Sequence, residues 1–237
     1  MYETQLSLSA CLLMASFAPA ASIVSLNLPG AGNYASPTVV TTSQSVGAAT
    51  FDISYTVAAV SNDTGAVVGV SGSSIGVGSD NDVNPQHFNT LEGDGSGGAN
   101  ESTAGGEGLS FTNLSITNFQ SNGSGITVGD ISDLQFHGLT VGAAANAQDG
   151  ATISFTGFGT STTDVNLSGV SAGYTIPLTG LSNFSSTATG LYVQPDNGSS
   201  RNRWNVTGLS VSYVPEPSAA ALLGLGVVGL IGHRRRS

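Results

Sequence analysis

The stretch that decides the fold is residues 51–57, which read FDISYTV. Apolar side chains stand at its odd positions, and an aspartate, a serine and a threonine stand between them. A period of two places successive side chains on opposite faces of an extended chain. The segment therefore predicts a β-strand with one face in a core and the other in water.

The same alternation recurs along the chain. Clusters of Gly, Asn, Asp and Ser separate such runs at intervals of about ten residues, and no stretch before Ser218 has the period of a long amphipathic helix. The further runs are Leu109, Phe111, Leu114, Ile116 and Phe119, with a break near Thr112–Asn113; Ile153 and Phe155; Val165 and Leu167; Leu191 and Val193; and Val206, Leu209, Val211 and Tyr213, with a break at Gly208.

We therefore expect residues 21–213 to form one all-β ectodomain. Short strands at this spacing favour a β-sandwich of the jelly-roll kind. The 33 glycines of the chain keep a β-helix as the alternative.

The composition excludes some functions. Only 8% of the 237 residues are charged, there is no lysine, and the formal net charge is −10. A protein that binds nucleic acid through its phosphates needs basic stripes, so we expect no nucleic-acid partner. The 39% hydrophobic fraction is too high for a simple disordered chain.

The N-terminal end predicts export. Residues 6–17 form a short apolar run that is followed by Ala18-Pro19-Ala20, as in a signal peptide. Residues 1–20 are the predicted signal, with cleavage after Ala20 or, alternatively, after Ser22. Glu3 departs from the pattern, because a positive charge is expected there. The single cysteine, Cys11, lies inside this segment, so we expect no disulfide in the mature chain.

The C-terminal end, residues 214–237, reads VPEPSAAALLGLGVVGLIGHRRRS. Fifteen uncharged residues, 218–232, stand between a proline-rich triplet and an arginine cluster. As a helix they would span roughly 22 Å, which is short against a hydrocarbon core of about 30 Å. The arginines should stay on the cytoplasmic side, so the ectodomain would lie outside. The flanking residues are Pro215, Glu216 and Pro217 before the apolar stretch, and Arg234, Arg235 and Arg236 after it.

These three elements, in this order, resemble the PEP-CTERM sorting signal of Gram-negative bacteria. The resemblance implies that an exosortase, a membrane cysteine protease, recognises the tail and cleaves it near the Pro-Glu-Pro triplet. It also implies a transient or stable anchor in the inner membrane, followed by delivery to the envelope, the surface or the exterior, often beside exopolysaccharide. We expect a structural or adhesive surface protein, with a carbohydrate-binding module as the alternative and a secreted glycan-active enzyme as the third reading.

One part of the ectodomain suggests a sugar site. Trp204, the only tryptophan, lies between Arg203 and Asn205, with Arg201 and Tyr192 before it. Sugar sites combine aromatic faces with polar groups. The two arginines are the only cations of the ectodomain and could contact an anionic polysaccharide. The alternative is that Trp204 packs at the edge of the core while the arginines neutralise nearby acids.

Residues 76–108 form a long segment rich in Gly and Asn, with six carboxylates. Segments of this length are commonly functional or disordered. Its start resembles a calcium loop, but Pro85 replaces the glycine and Leu91 the final glutamate of an EF-hand. A structural Ca²⁺ site of another kind is one hypothesis, and a solvated acidic loop is the other. The candidate ligands are Asp80, Asp82, Asn84 and Asp94.

We expect no enzymatic activity. The two histidines of the ectodomain, His87 and His137, have no metal-ligand spacing, and there is no G-x-S-x-G motif to present a nucleophile.

Overall fold

The structure is a computed structural model that describes residues 21–60, 66–71, 73–78, 91–92, 107–142, 150–196 and 203–215. Over these residues the chain forms β-strands and two short 3-10 helices, Val128–Asp130 and Leu178–Gly180. The strands, in chain order, are β1 (Ser22–Leu26), β2 (Gly32–Ala35), β3 (Thr38–Val46), β4 (Ala49–Val60), β5 (Val67–Ser71), β6 (Ser74–Gly78), β7 (Leu91–Glu92), β8 (Gly108–Gln120), β9 (Ile131–Val141), β10 (Gly150–Ser154), β11 (Thr163–Asn166), β12 (Tyr174–Pro177), β13 (Leu191–Pro195), β14 (Arg203–Trp204) and β15 (Val206–Pro215).

The strands form two large sheets. The seven-stranded sheet has the order β12-β9-β15-β6-β5-β2, with β1 also paired to β15, and the six-stranded sheet has the order β11-β10-β13-β8-β4-β3. Strands β14 and β7 form a small third sheet. All pairings among the described strands are antiparallel. The all-β sandwich is therefore confirmed, and a β-helix does not fit, because such a solenoid stacks parallel strands.

Residues 51–57 lie in strand β4, as their period of two predicts. Phe51, Ile53, Tyr55 and Val57 are all buried and face the seven-stranded sheet. The Phe51 ring meets the ring of Tyr213, on β15, edge to face at a centroid distance of 5.7 Å. This contact joins the two sheets in the core, where burial of apolar surface drives folding.

The hydroxyl of Tyr55 in this core has a hydrogen-bond partner. The hydroxyl of Tyr55 donates a hydrogen bond to the Asn27 carbonyl at 2.6 Å. Burial raises the pKa of Tyr55 above its usual range, so the phenol stays neutral. A neutral, hydrogen-bonded hydroxyl can be buried at little cost.

Two irregularities predicted from the sequence are present. In β8, Thr112 and Ser115 pair with Thr56 and Ser54, so two residues of β8 stand opposite one residue of β4. This is a β-bulge, and Asn113 within it has a left-handed φ of 55°. In β15 the register shifts between Val206 and Gly208.

A second bulge in β8 was not apparent from the sequence. Asn118 has a φ of 51°, close to a register shift between Thr50 and Asp52 of the neighbouring strand β4. Asparagine tolerates the left-handed region better than most residues. Its side-chain amide donates to the Asp52 carboxylate at 2.6 Å and so ties the bulge to β4.

The sandwich has two distinct ends. At the end that we call the tail pole, Ser22 pairs with Tyr213 and Ile131 pairs with Pro215. At the opposite end, the loop pole, Val60 pairs with Gly108 in one sheet and Val206 pairs with Val141 in the other. The chain therefore enters and leaves the described ectodomain at the same pole.

Trp204 lies at the loop pole as an internal anchor. Its side chain is 1% exposed, and its indole N–H donates to the Gly150 carbonyl at 2.9 Å. Its backbone pairs with Leu91 in β7. The tryptophan thus holds together β10, β14 and the short strand β7.

We expect Trp204→Ala to lower the free energy of unfolding by about 3–5 kcal/mol, because a large buried ring is lost. Trp204→Phe keeps most of the apolar volume but loses the donor, and should cost about 1–2 kcal/mol. Urea unfolding of the exported protein, followed by circular dichroism, measures both losses. Tyr174→Ala is the control, since Tyr174 is 44% exposed and its removal should change little. Equal stability of Trp204→Ala and the parent would contradict the anchoring role.

Candidate functional site

The structure corrects the prediction that Trp204 is exposed for a sugar. A side chain that is 1% exposed presents no free ring face for stacking. Its only polar atom is already bonded to Gly150. The alternative, packing in the core, is what the structure shows. Arg201 and the side chain of Arg203 lie outside the described residues, so their contact with a polysaccharide stays a prediction.

Tyr192, the fourth predicted ligand residue, lies on the outward face of the six-stranded sheet. It is half-buried and alternates with the fully buried Leu191 and Val193. The ring of Phe158 meets it edge to face, with centroids 5.3 Å apart. We call Phe158 and Tyr192 the aromatic pair.

Two glycines make room for the aromatic pair. A Cβ atom placed on Gly108 would stand 2.6 Å from the Phe158 ring, and one on Gly190 would stand 3.0 Å from the Tyr192 ring. Side chains at these positions would therefore push the rings away from the sheet. The sequence did not reveal Phe158, because its position over Gly108 depends on the pairing of distant strands.

Polar groups surround the aromatic pair on the neighbouring strands. In the register of β10 and β13, Thr152 pairs with Gln194, and both side chains are half-buried. Ser154, opposite Tyr192, is buried and its hydroxyl donates to the Thr160 carbonyl. The Thr152 hydroxyl donates to the Asp164 carboxylate at 2.8 Å. Half-exposed rings beside hydroxyl, amide and carboxylate groups are the chemistry that sugar sites use.

A shallow cavity of about 410 Å³ opens on the same sheet near the tail pole. It lies at the second bulge of β8, where the register with β4 shifts between Thr50 and Asp52. Its walls combine polar groups with the half-buried ring of Phe119, which stacks on Phe51 at 6.4 Å. The lining residues are Ser43, Thr50, Phe51, Asp52, Asn118, Phe119 and Gln120.

Asp52 is the charged group of this cavity. Its carboxylate accepts hydrogen bonds from the Ser43 hydroxyl and the Asn118 amide, both at 2.6 Å. These two bonds hold the pKa of Asp52 below its usual range, so it is ionised at neutral pH. The fixed carboxylate leaves further acceptor sites for a ligand hydroxyl. In the sequence Asp52 looks like any polar residue on the outward face of a strand.

The other predicted site residues lie outside what the structure describes. They are the calcium candidates Asp80, Asp82, Asn84 and Asp94, and the tail residues Glu216, Pro217, Arg234, Arg235 and Arg236. The predicted signal segment 1–20 and the predicted helix 218–232 are also outside it.

Three findings concern the residues that are described. Pro215 is the last residue of β15. No cluster of three or more His, Cys, Asp or Glu side chains could hold a metal ion within the described ranges. In the same part of the chain, no helix is long and apolar enough to cross a membrane.

Comparison with known proteins identifies the tail. Residues 214–236 match the PEP-CTERM protein-sorting motif. No curated protein and no solved structure is significantly similar to the chain. The resemblance seen in the triplet, the apolar stretch and the arginines is thereby confirmed. The chain carries a PEP-CTERM sorting tail, which marks it as an exported protein that exosortase sorts to the cell surface.

Proposed function

We propose that this is a non-enzymatic, structural or adhesive protein of the cell surface or the extracellular matrix. The observation that carries the proposal is the sorting tail at residues 214–236, joined directly to the last strand of a β-sandwich. In this reading the tail holds the protein in the inner membrane until exosortase cleaves it. The ectodomain then becomes part of the envelope or of the exopolysaccharide outside it.

The outward faces of the sandwich support a structural role. They are tied together by hydrogen bonds between neutral side chains, such as Ser54 to Thr117 at 2.8 Å and Thr140 to Thr175 at 2.9 Å. Cross-strand polar pairs of this kind stabilise a sheet. Since they do not rely on opposite charges, salt outside the cell screens them little.

The tail proposal can be tested with Glu216→Ala/Pro217→Ala, which leaves Pro215 in β15. We expect the variant to keep its tail and to stay in the membrane fraction, because two residues of the recognition triplet are lost. Intact-mass analysis of the protein from its host, together with cell fractionation, measures both outcomes. Pro177→Ala, a proline at the end of β12, is the control and should be processed normally. A double variant released with the parental mass would refute exosortase sorting through this triplet.

A second candidate function, carbohydrate binding, is favoured by the outward face of the six-stranded sheet. The aromatic pair, toward the loop pole, offers ring surface for the apolar side of a sugar. The cavity at Asp52, toward the tail pole, offers a carboxylate, an amide and hydroxyls for the sugar hydroxyls of another part of an extended chain. The carboxylates of Asp52 and Asp164 would repel a uronic acid. We therefore propose a neutral polysaccharide as the ligand at this face, whereas Arg201 and Arg203 stay candidates for an anionic one.

If the face binds a neutral glycan, Tyr192→Ala should weaken binding about tenfold, since loss of one aromatic contact at a binding site costs about 1–2 kcal/mol. Asp52→Asn should weaken it as well, because the charged acceptor is removed. Binding should persist through mildly acidic pH, since the lowered pKa of Asp52 keeps it ionised there. Titration calorimetry with neutral and uronic oligosaccharides measures these effects.

Tyr174→Ala is the matched control, because this exposed tyrosine lies on the other sheet. Undiminished affinity in both Tyr192→Ala and Asp52→Asn, or a preference for uronic oligosaccharides, would rule out this face as the site.

A further inference from the structure

We infer that the ectodomain is held with a fixed polarity during sorting: the tail pole faces the membrane and its exosortase, and the loop pole is displayed away from them. This inference rests on the proposed sorting through the tail. It specifies which end of the sandwich faces exosortase and which end faces away from the membrane.

No spacer separates the fold from the tail. Pro215, the first residue of the triplet, still pairs with Ile131 in the sheet. The apolar stretch begins at Ser218, three residues later. Three extended residues reach at most about 11 Å. The end of β15 must therefore lie close to the membrane for as long as the tail is embedded there.

The first strand of the ectodomain also begins at the tail pole. Ser22 begins β1 and pairs with Tyr213, next to the end of β15. A signal peptide that ends at Ala20 would thus also be attached at the tail pole. Cleavage after Ser22 would remove a residue that pairs with β15, whereas cleavage after Ala20 leaves β1 whole. The structure therefore favours Ala20 as the cleavage site.

The pairing of β15 with its neighbouring strands also indicates where exosortase would cleave the chain. Up to Tyr213, β15 is flanked by β1 on one side and β9 on the other. A protease must bind its substrate in an extended, accessible form, so a cut before Pro215 would require opening of the sheet. We place the scissile bond on the carboxyl side of Pro215, and expect a mature chain that retains all of β15.

The connections at the loop pole contain most of the carboxylates of the chain. Five connecting segments of six or more residues join strands whose ends lie at the loop pole: residues 61–66, 79–107, 142–149, 167–173 and 196–202. These segments contain nine of the fifteen carboxylates of the chain. The Gly- and Asn-rich segment and Arg201 thus belong to connections attached far from the membrane. The connections at the two poles differ in charge rather than in length: residues 121–130 and 178–190, on the tail-pole side, contain only one carboxylate, Asp130.

The polarity can be tested with single cysteines, since the parent has only Cys11, in the predicted signal. Ser121→Cys marks the tail pole, just after β8, and Ser168→Cys marks the loop pole, between β11 and β12; both residues are exposed. Each is combined with Glu216→Ala/Pro217→Ala to keep the tail. Spheroplasts are then treated with a maleimide attached to a bulky polyethylene glycol. We expect Ser121→Cys to react several-fold more slowly than Ser168→Cys.

Two controls separate shielding by the membrane from intrinsic reactivity. In the first control, the tail is removed so that the protein leaves the membrane, and the two cysteines should then react at similar rates. The second control lengthens the link between fold and tail. An insertion of ten Gly and Ser residues between Val214 and Pro215 adds roughly 18 Å of flexible reach. It leaves the substituted tail otherwise unchanged, and should raise the Ser121→Cys rate to that of Ser168→Cys in the tethered protein.

Equal rates in the tethered protein without the insertion, or slower reaction of Ser168→Cys, would overturn the polarity. If the tethered variants do not fractionate with membranes, it is the sorting proposal that fails, and the pole assignment fails with it. A mature C-terminus before Pro215, found by intact mass, would overturn the placement of the cut alone.

Discussion

The structure depends on the pairing of β15 with strands on both sides. At Tyr213 the backbone pairs with Ser22 of β1, and the ring packs edge-on against Phe51 of the facing sheet. One residue near the end of the ectodomain thus joins the first strand, the last strand and both layers of the core. Because the sorting tail continues from this strand, folding of the sandwich and presentation of the tail are physically connected.

The low charge of the protein is distributed unevenly. The described faces of the two sheets are held by hydroxyl and amide pairs, with Asp52 tied to Ser43 and Asn118 as a fixed carboxylate. Most of the other carboxylates belong to connections at the loop pole. The body of the sandwich thus carries few carboxylates, and the negative charge of the ectodomain is concentrated at the loop pole.

Much of the fold followed from sequence pattern, whereas the candidate site did not. The alternation in residues 51–57 and the breaks near Asn113 and at Gly208 were found where the period and the turn residues predicted them. The sequence left Trp204 open between a sugar site and the edge of the core, and the sugar-site prediction was wrong, because exposure of an aromatic ring depends on what packs over it. The aromatic pair and the cavity at Asp52 escaped notice, since each is assembled from strands distant in sequence.

The amino-acid sequence by itself determined the strands and the sorting tail, because both depend on local order: side chains alternate within one segment, and triplet, apolar stretch and arginines follow one another. Only the tertiary structure decided which strands are neighbours. That choice buried Trp204 against Gly150, set Phe158 over Gly108 and brought Ser22 beside Tyr213. Pairing across a sheet is a long-range event selected by burial of the shared core, and no local pattern specifies it.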